Sequence, residues 1–160
     1  MIVHYRVDER VIHGQTTTKI TKDYQIDGVI VIDNKIARDK FMTQLYSQIL
    51  PPNIKVFTFS VGDALKRIVE AENSSKKYII IFKNPISAME ISKQGYKFKD
   101  TLYIGPQSVR DGSKFIMQMI GLMPEEIDAL DYLVKNGTNV VLNPTFTTPN
   151  YTWQDAKKKI

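Results

Sequence analysis

Tyr78-Ile79-Ile80-Ile81-Phe82 and Val29-Ile30-Val31-Ile32 are apolar runs with no polar position inside them. A strand with one face in water alternates apolar and polar residues, whereas a strand covered on both faces has no reason to alternate. The two runs therefore read as central strands of a parallel sheet with helices on either side. Two further runs, Ile2 to Val7 and Ile54 to Phe59, share the bias toward β-branched residues, and a helix-like pattern follows each of the four. Strands alternating with helices predict an α/β fold built on a doubly wound open sheet.

The helical segments carry their own punctuation. After Asp33-Asn34, Phe41, Leu45 and Ile49 fall on one face with Met42 beside them, and the segment stops before Pro51-Pro52. A second helix follows Ser60, whose hydroxyl can cap it, and carries Ala64, Leu65, Ile68 and Val69. A third runs from near Pro85 to Gly95. The clearest spans Pro124 to Asn136-Gly137: proline in the first turn, Glu125 and Glu126 at the positive end of the dipole, Ile127, Leu130 and Val134 on one face. Between Asp100 and Met123 the pattern becomes two short strands, Thr101 to Ile104 and Lys114 to Met117, joined by a polar loop, and Val140-Val141-Leu142 supplies another strand. No linker, repeat or low-complexity stretch interrupts residues 1–160, so one domain is expected.

Composition narrows the chemistry. The chain has no cysteine, which removes disulfides, thiolate metal sites and cysteine nucleophiles. No window approaches the ~20 apolar residues of a membrane span, and a cytoplasmic location is expected. Lys and Arg number 22 against 17 Asp and Glu, for a formal charge of +5, but the charges are spread out and only Lys157-Lys158-Lys159 forms a run. No DNA- or RNA-reading motif accompanies them, so nucleic acid is not expected as a partner. Ser-His-Asp order, HExxH spacing and a Gly-rich P-loop are all absent, Asp33, Asp39, Asp63 and Asp100 form no recognisable metal set, and neither metal nor cofactor is expected.

The chemistry concentrates in Arg6-Val7-Asp8-Glu9-Arg10-Val11-Ile12-His13-Gly14-Gln15. This stretch follows the first strand and precedes a Thr-rich helical segment. Ligands of open α/β sheets sit beyond the carboxyl ends of strands, so His13 is expected to be displayed there. A neutral imidazole is a competent nucleophile near pH 7. Arg6 and Arg10 offer planar forks for phosphate oxygens, and the N–H groups near Gly14 and Gln15 offer the remaining donors at a helix start. Taken singly these residues have plainer readings: His13 as a structural histidine, Arg10 as a partner of Asp8 or Glu9, Gln15 as a helix opener. His4, inside the first strand, reads as structural.

The same stretch resembles the R-[IV]-D-[DE]-R-[LVF]-I-H-G-Q signature of enzyme IIB components of the mannose/fructose/sorbose class of the bacterial phosphoenolpyruvate-dependent sugar phosphotransferase system. The resemblance continues through Ile36-Ala37-Arg38-Asp39, Leu50-Pro51-Pro52-Asn53-Ile54-Lys55-Val56 and Phe82-Lys83-Asn84-Pro85. It implies a three-layer α/β/α domain with a mainly parallel seven-stranded sheet. It also implies a phosphocarrier whose histidine, here His13, receives a phosphoryl group on Nδ1 from a histidine of a IIA component. Sugar entering through membrane IIC and IID components would then take the group, with the IIB chain peripherally associated with them. The motif arginines, here Arg6 and Arg10, are expected to steady the phosphohistidine, with Asp8 in support. The chain departs from members that carry Trp at the position of Ile20, acidic residues at Asn34 and Lys35, and an Asn-x-Gly-Gly-like turn where it has Tyr103-Ile104-Gly105-Pro106. A regulatory histidine phosphoprotein is the alternative reading, and self-association as a homo-oligomer is compatible with the sequence.

Overall fold

The computed structural model describes residues 1–146 and 149–160, with the backbone alone at 15–17. Its elements run β1 (Ile2–Val7), α1 (Gly14–Tyr24), β2 (Gly28–Ile32), α2 (Asn34–Ala37), α3 (Lys40–Ile49), β3 (Lys55–Phe59), α4 (Val61–Glu72), β4 (Tyr78–Phe82) and α5 (Pro85–Lys93). They continue with β5 (Leu102–Ile104), β6 (Lys114–Met117), β7 (Ile120–Leu122), α6 (Pro124–Lys135), β8 (Val140–Leu142), β9 (Tyr151–Thr152) and α7 (Trp153–Lys157). Seven strands form one sheet in the order β3-β2-β4-β1-β5-β8-β9, parallel except for β9, which pairs antiparallel with β8. The mainly parallel seven-stranded sheet expected from the resemblance is thus present.

The central runs are buried on both faces, as their lack of alternation predicts. Val29, Val31, Ile79 and Ile81 pack with Ile20 of α1, Ile36 of α2 and Tyr46 of α3. Ile30, Ile32, Ile80 and Phe82 pack on the opposite face with Ala64 and Ile68 of α4, Ala88 and Ile91 of α5, and Leu130 of α6. Two cores separated by one sheet make the three-layer α/β/α arrangement.

The Ser60 cap follows the sequence reading, and Asn84 and Glu126 add two that it did not name. Ser60 accepts the Asp63 N–H, Asn84 accepts that of Ser87 ahead of Pro85, and Glu126 accepts that of Met123 at the start of α6. On α6 Leu130 is fully buried, and Ile127 and Val134 lie partly buried against the core.

The structure departs from the sequence reading at three places. Lys114 to Met117 does not join the main sheet: β6 pairs antiparallel with β7 in a separate ribbon, and the seventh strand is β9. The ribbon turns at Met119, whose φ is 70°, and buries Ile116, Ile120 and Leu122 against the α4–α7 core, so its apolar side chains are satisfied without the main sheet. On α3 the stripe Phe41, Leu45, Ile49 is exposed, Phe41 to 71%, and the helix instead turns Tyr46 inward with Met42 beside it. Tyr46 buries more area than any aliphatic side chain of that helix, and Thr43 shares a hydrogen bond of 2.9 Å with Thr58 of β3, which fixes the rotation. On α4 Val69 is likewise exposed, while Ala64 and Ile68 are buried as expected.

Candidate functional site

Chain direction reverses at the centre of the sheet. From β1 the chain leads through α1 to β2 on one side, whereas from β5, the neighbour of β1, it leads through α6 to β8 on the other. Loops diverging from adjacent strands leave a crevice at their carboxyl ends, and open α/β sheets bind ligands there. Arg6, Asp8, Arg10 and His13 all lie at this point.

Asp8 is the hub. Its backbone N–H continues the ladder by donating to Phe82 O at 2.9 Å, its carbonyl accepts the Val11 N–H at 3.0 Å, and its carboxylate accepts the Arg10 N–H at 3.0 Å. An aspartate that ties down the backbone two residues on closes a tight turn. Val11 pays for that turn: it has φ 60°, in the left-handed region that a β-branched residue rarely adopts, and its buried side chain anchors it in the α1–α3 core. Such strain, of order 1–3 kcal/mol, persists only where surrounding contacts enforce it, and it gathers at functional loops.

The Asp8 carboxylate also collects the charged side chains. Arg10 spans it with two bonds, Nε to Oδ1 at 3.2 Å and Nη2 to Oδ2 at 3.3 Å. Arg6 Nε donates to Oδ2 at 3.4 Å, and His13 Nε2 lies 3.6 Å from the same oxygen. Arg6 and Asp8 are each only 1% exposed, whereas His13 is 21% exposed. Two guanidinium groups against one carboxylate leave the cluster net positive, the sign that suits a phosphoryl dianion. Glu9 takes no part in holding Arg10; it accepts from the backbone and hydroxyl of Ser108.

His13 is the N-cap residue of α1, in extended conformation, and its side chain makes no capping bond. The imidazole is thus displayed at the helix start instead of being consumed by it. With Nε2 directed at a carboxylate, the tautomer that places hydrogen there puts the lone pair on Nδ1. Burial, then the Arg10 charge, hold the pKa of His13 below the ordinary histidine value against the opposing pull of Asp8, so the ring is neutral at neutral pH. Among the described residues, a Cβ added at Gly14 would meet nothing within 4 Å. The Gln15 side chain lies outside the described residues.

Three contributors come from distant sequence. The Asn143 carbonyl, just past β8, accepts Arg6 Nη2 at 3.1 Å. The Phe146 ring lies 5.1 Å from the Arg6 guanidinium and 5.3 Å from Lys19 Nζ. Gly105, just past β5, passes so close that a Cβ there would stand 2.6 Å from Arg6 Nη2. The Gly105-Pro106 pair announces a break in the sequence, but nothing in it announces the contact. Among the described residues no group of three or more His, Asp or Glu is placed to hold a metal ion.

The fold thus defines an open α/β sheet whose crevice, at a strand-order reversal, displays an imidazole among arginines. Residues 2–158 match the family described as the PTS system sorbose subfamily IIB component, and the chain belongs to that family. It is 28% identical over 145 residues to the sorbose-specific EIIB component of Lacticaseibacillus casei, covering 91% of this chain and 88% of that one. The mannose-specific EIIAB component of Escherichia coli (strain K12) is 23% identical over 155 residues, 97% of this chain. The present chain spans about half, 48%, of that two-part relative. The solved IIBSor domain of the sorbose permease from Klebsiella pneumoniae superposes with a TM-score of 0.90 at 27% identity, covering 99% of this chain and 97% of that one. The manxB structure from Thermoanaerobacter tengcongensis does so with 0.88 at 29% identity, covering 99% of this chain and 96% of the other. No helix among the described residues is long and apolar enough to cross a membrane.

Proposed function

We propose that this chain is a phosphocarrier of a sugar phosphotransferase system, taking a phosphoryl group from a phosphohistidine of a IIA partner onto His13. It then gives the group to a sugar handled by membrane IIC and IID components. The observation that carries the reading is the convergence of His13, Arg6 and Arg10 on the Asp8 carboxylate at the crevice.

In the step proposed, the Nδ1 lone pair of neutral His13 attacks phosphorus, the N–P bond of the donor breaks, and the donor imidazole leaves with the electron pair. Asp8 keeps the Nε2 proton oriented and stabilises positive charge on the ring as the new bond forms. Phosphoryl transfer asks a protein mainly for positioning and charge stabilisation, which Arg6, Arg10 and the N–H groups at Gly14 and Gln15 would supply. The incoming group brings about −1.5 to −2 charges and competes with Asp8 for both guanidinium groups. That competition keeps the bound phosphoryl group transferable instead of trapped. Membership of the family and the likeness to the sorbose-specific relative support a IIB role.

The test is to incubate the chain with phosphoenolpyruvate, the general phosphotransferase proteins and a panel of IIA proteins and to follow label into it. An acid-labile, alkali-stable phosphate on His13 is the expected product. The rate should be flat near pH 7 and fall with acidification through a pKa below 6.5, since protonation removes the nucleophile. No labelling by any IIA, or label on His4, would contradict the reading.

A further inference from the structure

Arg6 is held more tightly than a phosphate ligand needs to be. Its guanidinium is clamped in plane by Asp8 and the Asn143 carbonyl, faced by the Phe146 ring, and closed in by the Gly105 backbone. These contacts come from β1, β5 and the segment after β8, three strand ends that meet only in the folded sheet. One donor is left over: Arg6 Nη1 is buried and meets no acceptor among the described residues. A buried, charged donor without an acceptor is costly and calls for a ligand.

Gly105 is informative because its backbone does not need to be glycine. Its φ lies outside the left-handed region, and its N–H donates to Val7 O at 2.7 Å as any residue following that strand would. What stands first against a side chain is Arg6: the three atoms nearest to an added Cβ are its Nη2, Cζ and Nε, at 2.6, 2.9 and 3.0 Å. An arginine tip usually swings aside from an extra methyl group, but this one is 1% exposed and bound on its other sides.

We propose that Gly105 and Phe146 are positioning residues for phosphoryl transfer, forming a clamp that fixes the Arg6 guanidinium in one pose with Nη1 reserved for an oxygen of the phosphoryl group on His13. The proposal rests on the reading that His13 carries that group. The Phe146 ring lies over the guanidinium that carries Nη1, with Lys19 Nζ 5.3 Å from the same ring. Gly105→Ala displaces the guanidinium from one side and Phe146→Leu releases it on the other. A misplacement near 1 Å is worth up to ~100-fold in rate.

The experiment uses phosphoramidate, a small donor whose P–N bond breaks with departure of ammonia, so that docking of a IIA protein does not enter. Single-turnover labelling of Gly105→Ala and Phe146→Leu should be slowed about 10- to 100-fold with the donor concentration at half-saturation little changed. Phe146→Tyr, which keeps the ring, should label at close to the parental rate. In an Arg6→Lys background Gly105→Ala should cost almost nothing more, because its effect runs through the guanidinium. NMR titration of His13 in the unphosphorylated proteins adds a readout, taken only where the dispersed spectrum shows the domain still folded, since unfolding would shift it the same way: displacing Arg6 weakens a nearby positive charge, so the His13 pKa should rise in Gly105→Ala. If Gly105→Ala does not fold, Phe146→Leu and Phe146→Tyr carry the test. Labelling within twofold of the parent in folded Gly105→Ala and Phe146→Leu, or an equal loss on the Arg6→Lys background, overturns the clamp while leaving the phosphocarrier reading intact. A parent that labels elsewhere than His13 overturns both.

Discussion

The chain has two histidines, one inside β1 and one in the loop beyond it, and they are opposites. At the amino end His4 is buried, stacked on Tyr103 at 5.0 Å with an interplanar angle of 6°, and tilted against Tyr24 at 5.4 Å. Burial first, then the Arg6 charge, push its pKa down to about 4. Beyond the carboxyl end His13 stands over the start of α1 with a carboxylate on one ring nitrogen. Both rings are neutral at pH 7, so protonation state does not set them apart. What does is placement: one ring fills a gap between α1 and the sheet, and the other faces the crevice where the strand order reverses. On the proposed function, reactivity belongs to the strand end, not to the residue type.

The comparison breaks most sharply by deleting each ring in turn. His13→Ala should accept no phosphate at all, whereas His4→Phe, which keeps an aromatic stack on Tyr103, should label like the parent; counting radiolabel per chain decides between them. The next largest effect belongs to the hub. Asp8→Ala should slow labelling by ~100-fold or more and also destabilise the domain by about 3–5 kcal/mol, because it strands the buried Arg6 charge. Urea denaturation would expose an error here if the midpoint stayed at the parental value. Arg10 is 38% exposed, so Arg10→Ala should cost ~100-fold in transfer with under about 1 kcal/mol in stability. Arg10→Lys should recover part of the rate, keeping the charge without the fork. Parental kinetics in a folded Arg10→Ala protein would leave Arg10 as a structural partner of Asp8.

The smallest expected effect is on stability against acid, and it concerns His4. The folded pKa of His4 lies below that of the unfolded chain, so the unfolded state binds the proton first as pH falls. Its contribution to stability is therefore complete at neutral pH and declines below about pH 6.5, by roughly 2 kcal/mol at pH 5. His4→Phe should lose less stability than the parent between pH 7 and pH 5. Parallel curves in the two proteins would show His4 to be solvated.

The contrast between the ends of β1 also marks what the sequence makes legible. The non-alternating runs at β2 and β4 place the sheet centre, and Arg6 to Gln15 reads as a strand-end loop because charge, turn and helix start are contiguous. The clamp on Arg6 is not legible, since Gly105, Asn143 and Phe146 are brought to it by sheet order, across up to 137 residues for the Asn143 bond. The α3 stripe misleads for a related reason. Periodicity shows that Phe41, Leu45 and Ile49 share a face, but the partners of the face that turns inward, with Tyr46 in the core and Thr43 bonded to Thr58, lie on other elements. The β6–β7 ribbon has strand composition without sheet membership, because Ile116, Ile120 and Leu122 find their own place in the core.

The central claim is that the phosphoryl group rides on Nδ1 of His13, with Nε2 kept against Asp8. Because the chain has two histidines, nitrogen–phosphorus correlation NMR of the phosphorylated, ¹⁵N-labelled protein resolves four ring nitrogens and identifies the one bonded to phosphorus. The account predicts a single phosphorus coupled to His13 Nδ1, with the His4 ring signals unchanged. Coupling to His13 Nε2, or to either nitrogen of His4, would contradict it.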